Sequence, residues 1–185
     1  MSTRIPQVLV PIANGSEELE SIAVIDILRR SKINVTVASV ENSKQVVMSR
    51  GVQLVADSLL KDIIGNNYDA IVLPGGMPGA EHLRDCEDLI NKLNEQNKKN
   101  QWICAICASP AVVLQQHGFL STIKATSFPN FQKNLSNPIT DKQVVIDKNF
   151  ITSQGPGTAI PFALEIVNQL QGTTIMNEVK KGLLV

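Results

Sequence analysis

One cysteine of this sequence stands where a nucleophile could be placed. Cys107 directly follows the apolar run WICAI (102–106) and comes shortly before Pro110, a residue that is tolerated in the first turn of a helix. Peptide N–H groups at the start of a helix favour an adjacent anion, so we expect a lowered pKa for the Cys107 thiol. The alternative is a small buried hydrophobic side chain, because many cysteines in apolar runs only fill space.

An acidic segment near the N-terminus supplies a partner for this thiol. Ser16 is expected to cap a helix, and Glu17, Glu18 and Glu20 fall in its first turn, where acids complement the helix dipole. Only Glu20 lies on an apolar stripe, so its carboxyl is expected to be partly desolvated, with a raised pKa. A protonated Glu20 could donate to a Cys107 thiolate and then shuttle protons, whereas an ionised one would oppose thiolate formation. Three solvated acids are the alternative interpretation.

Two glycines after another apolar run predict backbone donors near the thiol. Gly75 and Gly76 follow the run DAIVLP (69–74), and without side chains their N–H groups can approach a ligand closely. Together with the N–H of Ala108 they could form an oxyanion hole. A Pro-Gly-Gly sequence is more often only a turn, so this prediction depends on Cys107 lying nearby.

The other cysteines and the histidines favour structural roles. Cys104 lies inside the apolar run before Cys107, where a core position is favoured over a redox pair, and Cys86 has the helical spacing of a residue at the core or its margin. His117 ends the helical pattern after Cys107, which predicts a contact with the C-terminal helix dipole. The other histidine is His82, and a Cys-His dyad has no obvious histidine.

Short apolar runs alternate with helical patterns along the whole chain. The predicted strands are 7–13, 34–40, 69–75, 102–106 and 150–153, and the predicted helices are 17–30, 79–99, 108–117 and 158–170. This order predicts a mostly parallel sheet with helices on both faces, and residues 46–57 predict an antiparallel excursion or hairpin. Ligands of such sheets bind at the carboxyl ends of the strands, where the acidic segment, the glycines and Cys107 could converge.

Composition narrows the class of protein. The 185 residues fit one domain, and 43% hydrophobic residues can form a core without disulfides or metal. Seventeen basic and seventeen acidic residues balance, so neither sequence-specific nucleic-acid binding nor membrane attachment is expected. Three cysteines without paired CxxC sets argue against a disulfide framework and a zinc site. We expect a cytoplasmic protein whose partners are small molecules or other protein surfaces.

Several long motifs resemble those of the ThiJ/PfpI family, closest to its bacterial YajL-like and parkinsonism-associated deglycase branch. In order they are NGSEELE, IDILRRSKINVTVASV, VVMSRGVQLVAD, YDAIVLPGGMPGAEHLRD, ICAICASPAVVL and ITSQGPGTAIPFALEIV. The resemblance implies that residues 1–185 form a single domain with a flavodoxin-like three-layer α/β/α sandwich. It also implies a homodimer with its active site near the interface.

The resemblance also implies roles for individual residues. Cys107 matches the family's nucleophile, Glu20 the buried acid, and Gly76 with Ala108 the backbone donors. Many relatives have a histidine where this chain has Phe128, so a Cys-Glu dyad with weaker or altered turnover is expected. The residues expected in the pocket or at a dimer interface are Arg30, Arg50, Phe128, Gln154, Gly155 and Pro156.

The implied activity is that of a protein or nucleotide deglycase or a glyoxalase. Such relatives are described as acting on methylglyoxal, glyoxal and their early adducts with thiols and amines, releasing lactate or glycolate without a metal or organic cofactor. The alternative is a redox-responsive chaperone or oxidative-stress sensor that operates through oxidation of Cys107. A protease, suggested by more distant relatives, is disfavoured because Phe128 replaces the histidine that would serve as base.

Overall fold

The computed structural model describes residues 4–185 as a central sheet, a separate hairpin and flanking helices. The strands are β1 (Gln7–Ile12), β2 (Asn34–Ser39), β3 (Gln45–Val47), β4 (Gln53–Val55), β5 (Ser58–Leu59), β6 (Ala70–Leu73), β7 (Trp102–Ile106), β8 (Val144–Asp147) and β9 (Phe150–Ser153). The α-helices are α1 (Glu18–Arg30), α2 (Leu60–Ile63), α3 (Gly79–Asp85), α4 (Glu87–Lys98), α5 (Ala159–Gln171) and α6 (Thr173–Leu183). Short segments of other helix types are the π-helix Pro110–Gln115 and the 3-10 helices Pro129–Asn134 and Pro156–Thr158.

The central sheet has seven strands in the order β5-β2-β1-β6-β7-β9-β8. Every neighbouring pair is parallel except β8 and β9, which are antiparallel. One face packs on a core with side chains from α1, α5 and α6, and the other on a core with side chains from α3, α4 and the π-helix. The predicted three-layer α/β/α sandwich with a mostly parallel sheet is therefore confirmed.

The inner strands have apolar side chains on both faces because both faces are covered. In β1, Val8 and Val10 pack in the core beneath α1, whereas Leu9 packs in the core on the opposite face. This accounts for the continuous apolar runs in the sequence, which are typical of parallel strands. Strand ends are therefore the places where polar side chains gather, and β1, β6 and β7 end side by side.

Several elements differ from the sequence prediction. The predicted helix 79–99 is two helices, because Cys86 has an extended backbone with φ of −80° and ψ of 98°. The predicted helix 108–117 contains a short π-helix, Pro110–Gln115, with the proline in its first turn as expected. The helices α2 and α6 and the strands β5 and β8 were not predicted.

The segment 46–57 contains most of an antiparallel hairpin, as its sequence predicted. Strands β3 and β4 pair with each other and form a two-stranded sheet apart from the main one. The turn of this hairpin contacts the segment just before α1, since Ser49 N–H donates to the Ser16 carbonyl at 2.8 Å. Across residues 4–185, no helix combines the length and the apolar character needed to cross a membrane.

Candidate active site

Cys107 occupies a sharp turn immediately after β7. Its φ of 64° lies in the left-handed region, which is uncommon for a residue with a Cβ. Hydrogen bonds on both sides hold this conformation: Cys107 N–H donates to the Ser153 carbonyl at 3.0 Å, and Phe128 N–H donates to the Cys107 carbonyl at 2.8 Å. A strained backbone held by its neighbours is frequent at functional sites, because it aims a side chain where regular structure would not.

The thiol of Cys107 does not have the lowered pKa that the sequence suggested. Burial, together with the charge of Glu20 and a hydrogen bond to it, raises the pKa of Cys107 to about 12, although N–H groups of Gly76 and Ala108 act in the opposite direction. The prediction relied on the start of a helix, and the segment after Cys107 is only a six-residue π-helix. Desolvation and a neighbouring carboxylate outweigh the dipole of so short a segment.

Glu20 is the partner of this thiol and has no solvent exposure. Its Oε2 accepts a hydrogen bond from Gly75 N–H at 2.8 Å, whereas its Oε1 is buried and has no hydrogen-bond partner of ordinary geometry. Burial raises the pKa of Glu20 to about 7, and the charge of Glu17 raises it further, against the lowering effect of Gly75 and Cys107. The predicted burial and raised pKa of Glu20 are both confirmed.

Glu20 and Cys107 affect each other in opposite directions. The hydrogen bond from the Cys107 thiol lowers the pKa of Glu20, whereas burial and the charge of Glu20 raise the pKa of the thiol. As pH rises, the Glu20 carboxyl therefore loses its proton before the thiol does.

Gly75 has a different role from the one predicted. Its N–H is donated to Glu20 Oε2, so it is not a donor for a reacting oxygen. A Cβ on Gly75 would lie 2.5 Å from Cys107 Cβ and 2.9 Å from Glu20 Oε2, so only glycine fits between the two reactive groups. Gly76, with φ of 86°, and Ala108 direct their N–H groups toward the sulfur and are the remaining candidates for an oxyanion hole.

The start of α1 also differs from the prediction. Ser16 does not cap the helix, because its hydroxyl accepts a hydrogen bond from Ala13 N–H at 3.0 Å. Glu17 is the N-cap, and its carboxylate accepts from Glu20 N–H at 2.8 Å. This cap holds the backbone of Glu20 and also places a second negative charge near its side chain.

A cavity of about 280 Å³ opens onto Cys107. Three residues predicted for the pocket, Arg50, Phe128 and Pro156, line it together with Ala108 and Gly76. Four lining residues were not predicted for the pocket: Glu17, Ser49, Met77 and Phe131. Ser49 adjoins the predicted Arg50, and Phe131 follows Phe128 at a spacing of three, so their neighbours could have indicated them.

The other predicted pocket residues lie outside the cavity lining. Gly155 is buried behind the Phe128 ring, and the Gln154 side chain donates to the Thr140 carbonyl at 3.1 Å. Arg30 is at the far end of α1, about 15 Å along the helix from Glu20, where it pairs with Asp26 at 2.6 Å. Within this chain Arg30 is therefore not part of the Cys107 pocket.

The remaining cysteines and histidines lie apart from the cavity lining. Cys104 is fully buried in the sheet core, and Cys86 is half-buried at the break between α3 and α4. His82 Nδ1 contacts Glu41 Oε1 at 2.8 Å. His117 Nε2 lies 2.9 Å from the Arg84 carbonyl, so the helix end it contacts is that of α3 and not its own. In the described part of the chain, no three His, Cys, Asp or Glu side chains are grouped to hold a metal ion.

Glu18 has a structural role beside the pocket that sequence reasoning missed. Its exposure is only 9%, and its carboxylate accepts from the Ser49 hydroxyl at 2.8 Å and from Arg50 N–H at 2.8 Å. It thereby ties the hairpin turn, which carries two pocket residues, to the first turn of α1. No local signal indicated this, because the partners are 31 and 32 residues away in sequence.

Known proteins resemble this chain over most of its length. A model of the DJ-1/PfpI family matches residues 6–169. The Arabidopsis thaliana protein named "Protein DJ-1 homolog B" is 49% identical over 97% of this chain, which spans only 41% of that relative's length. The Caenorhabditis elegans protein named "Glutathione-independent glyoxalase DJR-1.2" is 36% identical over 95% of this chain and 94% of its own.

A solved structure agrees with the fold and the sequence together. The structure described as "Toxoplasma gondii DJ-1, oxidized" has a TM-score of 0.94 and 42% sequence identity, and the match covers 97% of this chain and 98% of that one. Sequence and structure therefore agree over the segments that carry Glu20, Gly76 and Cys107. This chain belongs to the DJ-1/PfpI family.

Proposed function

We propose that this chain is a cysteine-dependent glyoxalase or deglycase that acts on methylglyoxal, glyoxal and their early adducts with thiols and amines. The observation that carries the proposal is the buried carboxyl of Glu20 beside Cys107, hydrogen-bonded to its thiol. The name of the C. elegans relative supports the same class of reaction. The proposal needs no metal or organic cofactor, since nucleophile and base are both side chains of the chain.

The first step would be addition of the thiol to the aldehyde carbon of methylglyoxal. As the Cys107 sulfur forms its bond to carbon, Glu20 in its carboxylate form takes the thiol proton. The carbonyl π pair moves onto oxygen, and the N–H groups of Gly76 and Ala108 would stabilise the developing charge. The oxygen then regains the proton from Glu20, which gives a hemithioacetal.

The second step would move hydrogen between the two adjacent carbons. Glu20 removes the proton from the carbon bonded to sulfur, and the electron pair forms an enediolate with the neighbouring carbonyl. Glu20 returns the proton to that neighbouring carbon, and the hydroxyl proton of the carbon bonded to sulfur moves to the oxygen of the former carbonyl. The product is a thioester of lactate with the same atoms as the hemithioacetal. A carboxyl with a pKa of about 7 suits both directions of this transfer at neutral pH.

Hydrolysis would complete the cycle. Water attacks the thioester carbon, the bond to sulfur breaks with its electron pair, and the sulfur regains a proton, so the products are lactate and free Cys107. Glyoxal would give glycolate by the same steps, and an early adduct would also release its amine or thiol. Because Cys107 must stay reduced, we place this activity in the cytoplasm. The proposed assembly is a homodimer.

The test is formation of lactate from methylglyoxal by wild type, Cys107→Ser, Glu20→Gln and Asp26→Asn. We expect Cys107→Ser to abolish turnover and Glu20→Gln to lower it by about 10²–10⁴-fold. Asp26→Asn is the matched control, because it changes a carboxyl of the same helix that pairs with Arg30 and lies outside the cavity lining. Equal turnover by wild type and Glu20→Gln would refute the proposed role of the dyad.

A second candidate function is a redox sensor that responds through Cys107. The description of the Toxoplasma relative as oxidized favours it. Oxidation requires a thiolate and acceptor contacts but no proton transfer between carbons, so it depends less on Glu20. Intact mass after brief peroxide treatment separates the two functions: a sensor would gain oxygen at Cys107 in Glu20→Gln as well, while turnover of methylglyoxal would be absent from wild type.

A further inference from the structure

The cavity at Cys107 has an apolar side that is larger than methylglyoxal requires. Met77 and Phe128 are 42% and 37% exposed beside the nucleophile, and Phe131 and Pro156 line the same cavity. Large apolar side chains grouped at the surface mark places where another apolar group binds. A methyl substituent would cover little of these side chains.

The aromatic part of this side is held firmly next to the nucleophile. Phe128 N–H donates to the Cys107 carbonyl at 2.8 Å, and the Phe128 ring packs against Gly155, where an added Cβ would lie 3.3 Å from Cδ2. Phe131 N–H donates to the Phe128 carbonyl at 2.8 Å within the 3-10 segment. Phe128 is the N-cap of this segment, and the Phe128 and Phe131 side chains both line the Cys107 cavity.

The remaining cavity lining is polar and suits the reacting end of a substrate. Glu17, Ser49 and Arg50 contribute charged or hydroxyl groups, and the N–H groups of Gly76 and Ala108 point toward the sulfur. A volume of about 280 Å³ is close to the lower end of that of small-molecule sites. It leaves space for one ring beside a dicarbonyl group.

We infer that the preferred substrates are α-oxoaldehydes whose substituent is apolar and about the size of a ring, seated against Phe128, Phe131, Met77 and Pro156. This inference rests on the proposed function and names the substrate class within it. With phenylglyoxal as the probe, the steps are those given above: the thiol adds to the aldehyde, hydrogen moves to the adjacent carbon, and water releases mandelate.

The first experiment compares kcat/KM for phenylglyoxal and methylglyoxal, measured as mandelate and lactate formed. We expect a ratio of at least about 10 in favour of phenylglyoxal, since small increments of apolar contact in a pocket are worth about 10-fold or more. In Phe131→Ala and Phe128→Ala the ratio should fall by about 10-fold. A loss of folded protein cancels in the ratio, because it lowers both rates equally.

The matched control is Ile146→Ala, which removes a 44% exposed apolar side chain on β8, outside the cavity lining. Its ratio should equal that of wild type. If the ratio is the same in wild type and both phenylalanine variants while methylglyoxal is turned over, the inference is overturned and the proposed function stands.

A binding measurement tests the cavity without turnover. Mandelate and lactate are compared as protectants of Cys107 against alkylation by iodoacetamide, and mandelate should protect at a concentration at least about 10-fold lower. This advantage should disappear in Phe131→Ala. Protection with that pattern but without turnover of either aldehyde would refute the proposed function and support the apolar subsite. Equal protection by the two acids would overturn the inference. This result is also expected if a second copy of the chain covers Met77 and Phe128.

Discussion

Two carboxylates of α1, Glu18 and Glu20, are separated by one residue, and their surroundings shift their pKa values in opposite directions. Glu18 holds the hairpin turn, and Glu20 stands beside Cys107. Both are nearly inaccessible to solvent, with exposures of 9% and 0%. The pKa of Glu18 is lowered, whereas that of Glu20 is raised to about 7.

The two pKa values differ because the two carboxylates accept different numbers of hydrogen bonds. Desolvation raises the pKa of both, but at Glu18 it is outweighed by hydrogen bonds from backbone N–H groups, including that of Arg50, and from the Ser49 hydroxyl. Glu20 receives a hydrogen bond of ordinary geometry only at Oε2, from Gly75, and its Oε1 has none. A carboxylate whose oxygens are satisfied fixes structure, while one that is left short of donors can take and return a proton.

The largest expected effect is a gain of stability on removing the charge of Glu20. A folded pKa of about 7, above the unfolded value of 4.5, means that the folded state loses stability as pH rises through this range, by about 3 kcal/mol in total. Glu20→Gln does not titrate, so at pH 8 it should exceed wild type by about 3 kcal/mol more than it does at pH 4. Urea unfolding at the two pH values measures this, and a difference that does not vary with pH would contradict it.

The second effect concerns the space between the two reactive groups. Gly75→Ala should lower the free energy of unfolding by about 2 kcal/mol, because the added methyl group overlaps Cys107 Cβ and Glu20 Oε2. Turnover should fall by about 100-fold, since displacing a reactive group by about 1 Å has that consequence. Gly65→Ala is the control, because a Cβ there has no neighbour within 4 Å. Similar behaviour of the two variants would show that Glu20 and Cys107 do not depend on this spacing.

The third effect has the opposite sign from the first. Glu18→Gln should lower stability by about 1.5 kcal/mol at pH 7, because an amide nitrogen cannot accept the hydrogen bonds that the carboxylate receives. The folded pKa of Glu18 lies below 4.5, so its contribution is present above that pH and is lost as pH falls through the lowered value. Thermal unfolding of wild type and variant should converge in acid. If the difference in stability between wild type and variant persists at pH 3, the lower stability of the variant results from packing and not from the lost charge.

The same pair of residues shows what the sequence could and could not predict. The burial of Glu20 follows from apolar residues at helical spacing on its own helix, and the position of Cys107 follows from an apolar strand that ends beside a proline. The role of Glu18 depends on Ser49 and Arg50, which come from a hairpin whose docking no local pattern specifies. The thiol pKa was mispredicted for a related reason, since the dominant causes are burial and a carboxylate from another element.

The fold was more predictable than the site. Continuous apolar runs identified the inner strands of the sheet, because strands buried on both faces do not alternate between apolar and polar residues. Errors occurred at helix ends, as at Cys86, which interrupts the predicted helix 79–99, and at Ser16, whose hydroxyl accepts from Ala13 N–H and leaves capping to Glu17.

The smallest effect tests whether the neighbourhood tunes Glu20. The charge of Glu17 raises the pKa of Glu20, so Glu17→Gln should move the midpoint of the pH dependence of kcat/KM below its wild-type position near 7. The variant keeps a side-chain oxygen that can accept from Glu20 N–H, which preserves the helix cap. Asp26→Asn is the control, because it removes a negative charge of the same helix that does not contribute to the Glu20 pKa.

Salt separates an effect of charge from a change in the shape of the pocket. Glu17 is partly exposed, so raising ionic strength should screen it and lower the wild-type midpoint toward that of Glu17→Gln, with little change in the variant. If the midpoint of the variant stays at the wild-type value, Glu17 acts on Glu20 only as a cap. The raised pKa that distinguishes Glu20 from Glu18 would then result from desolvation alone, which is the largest of its causes.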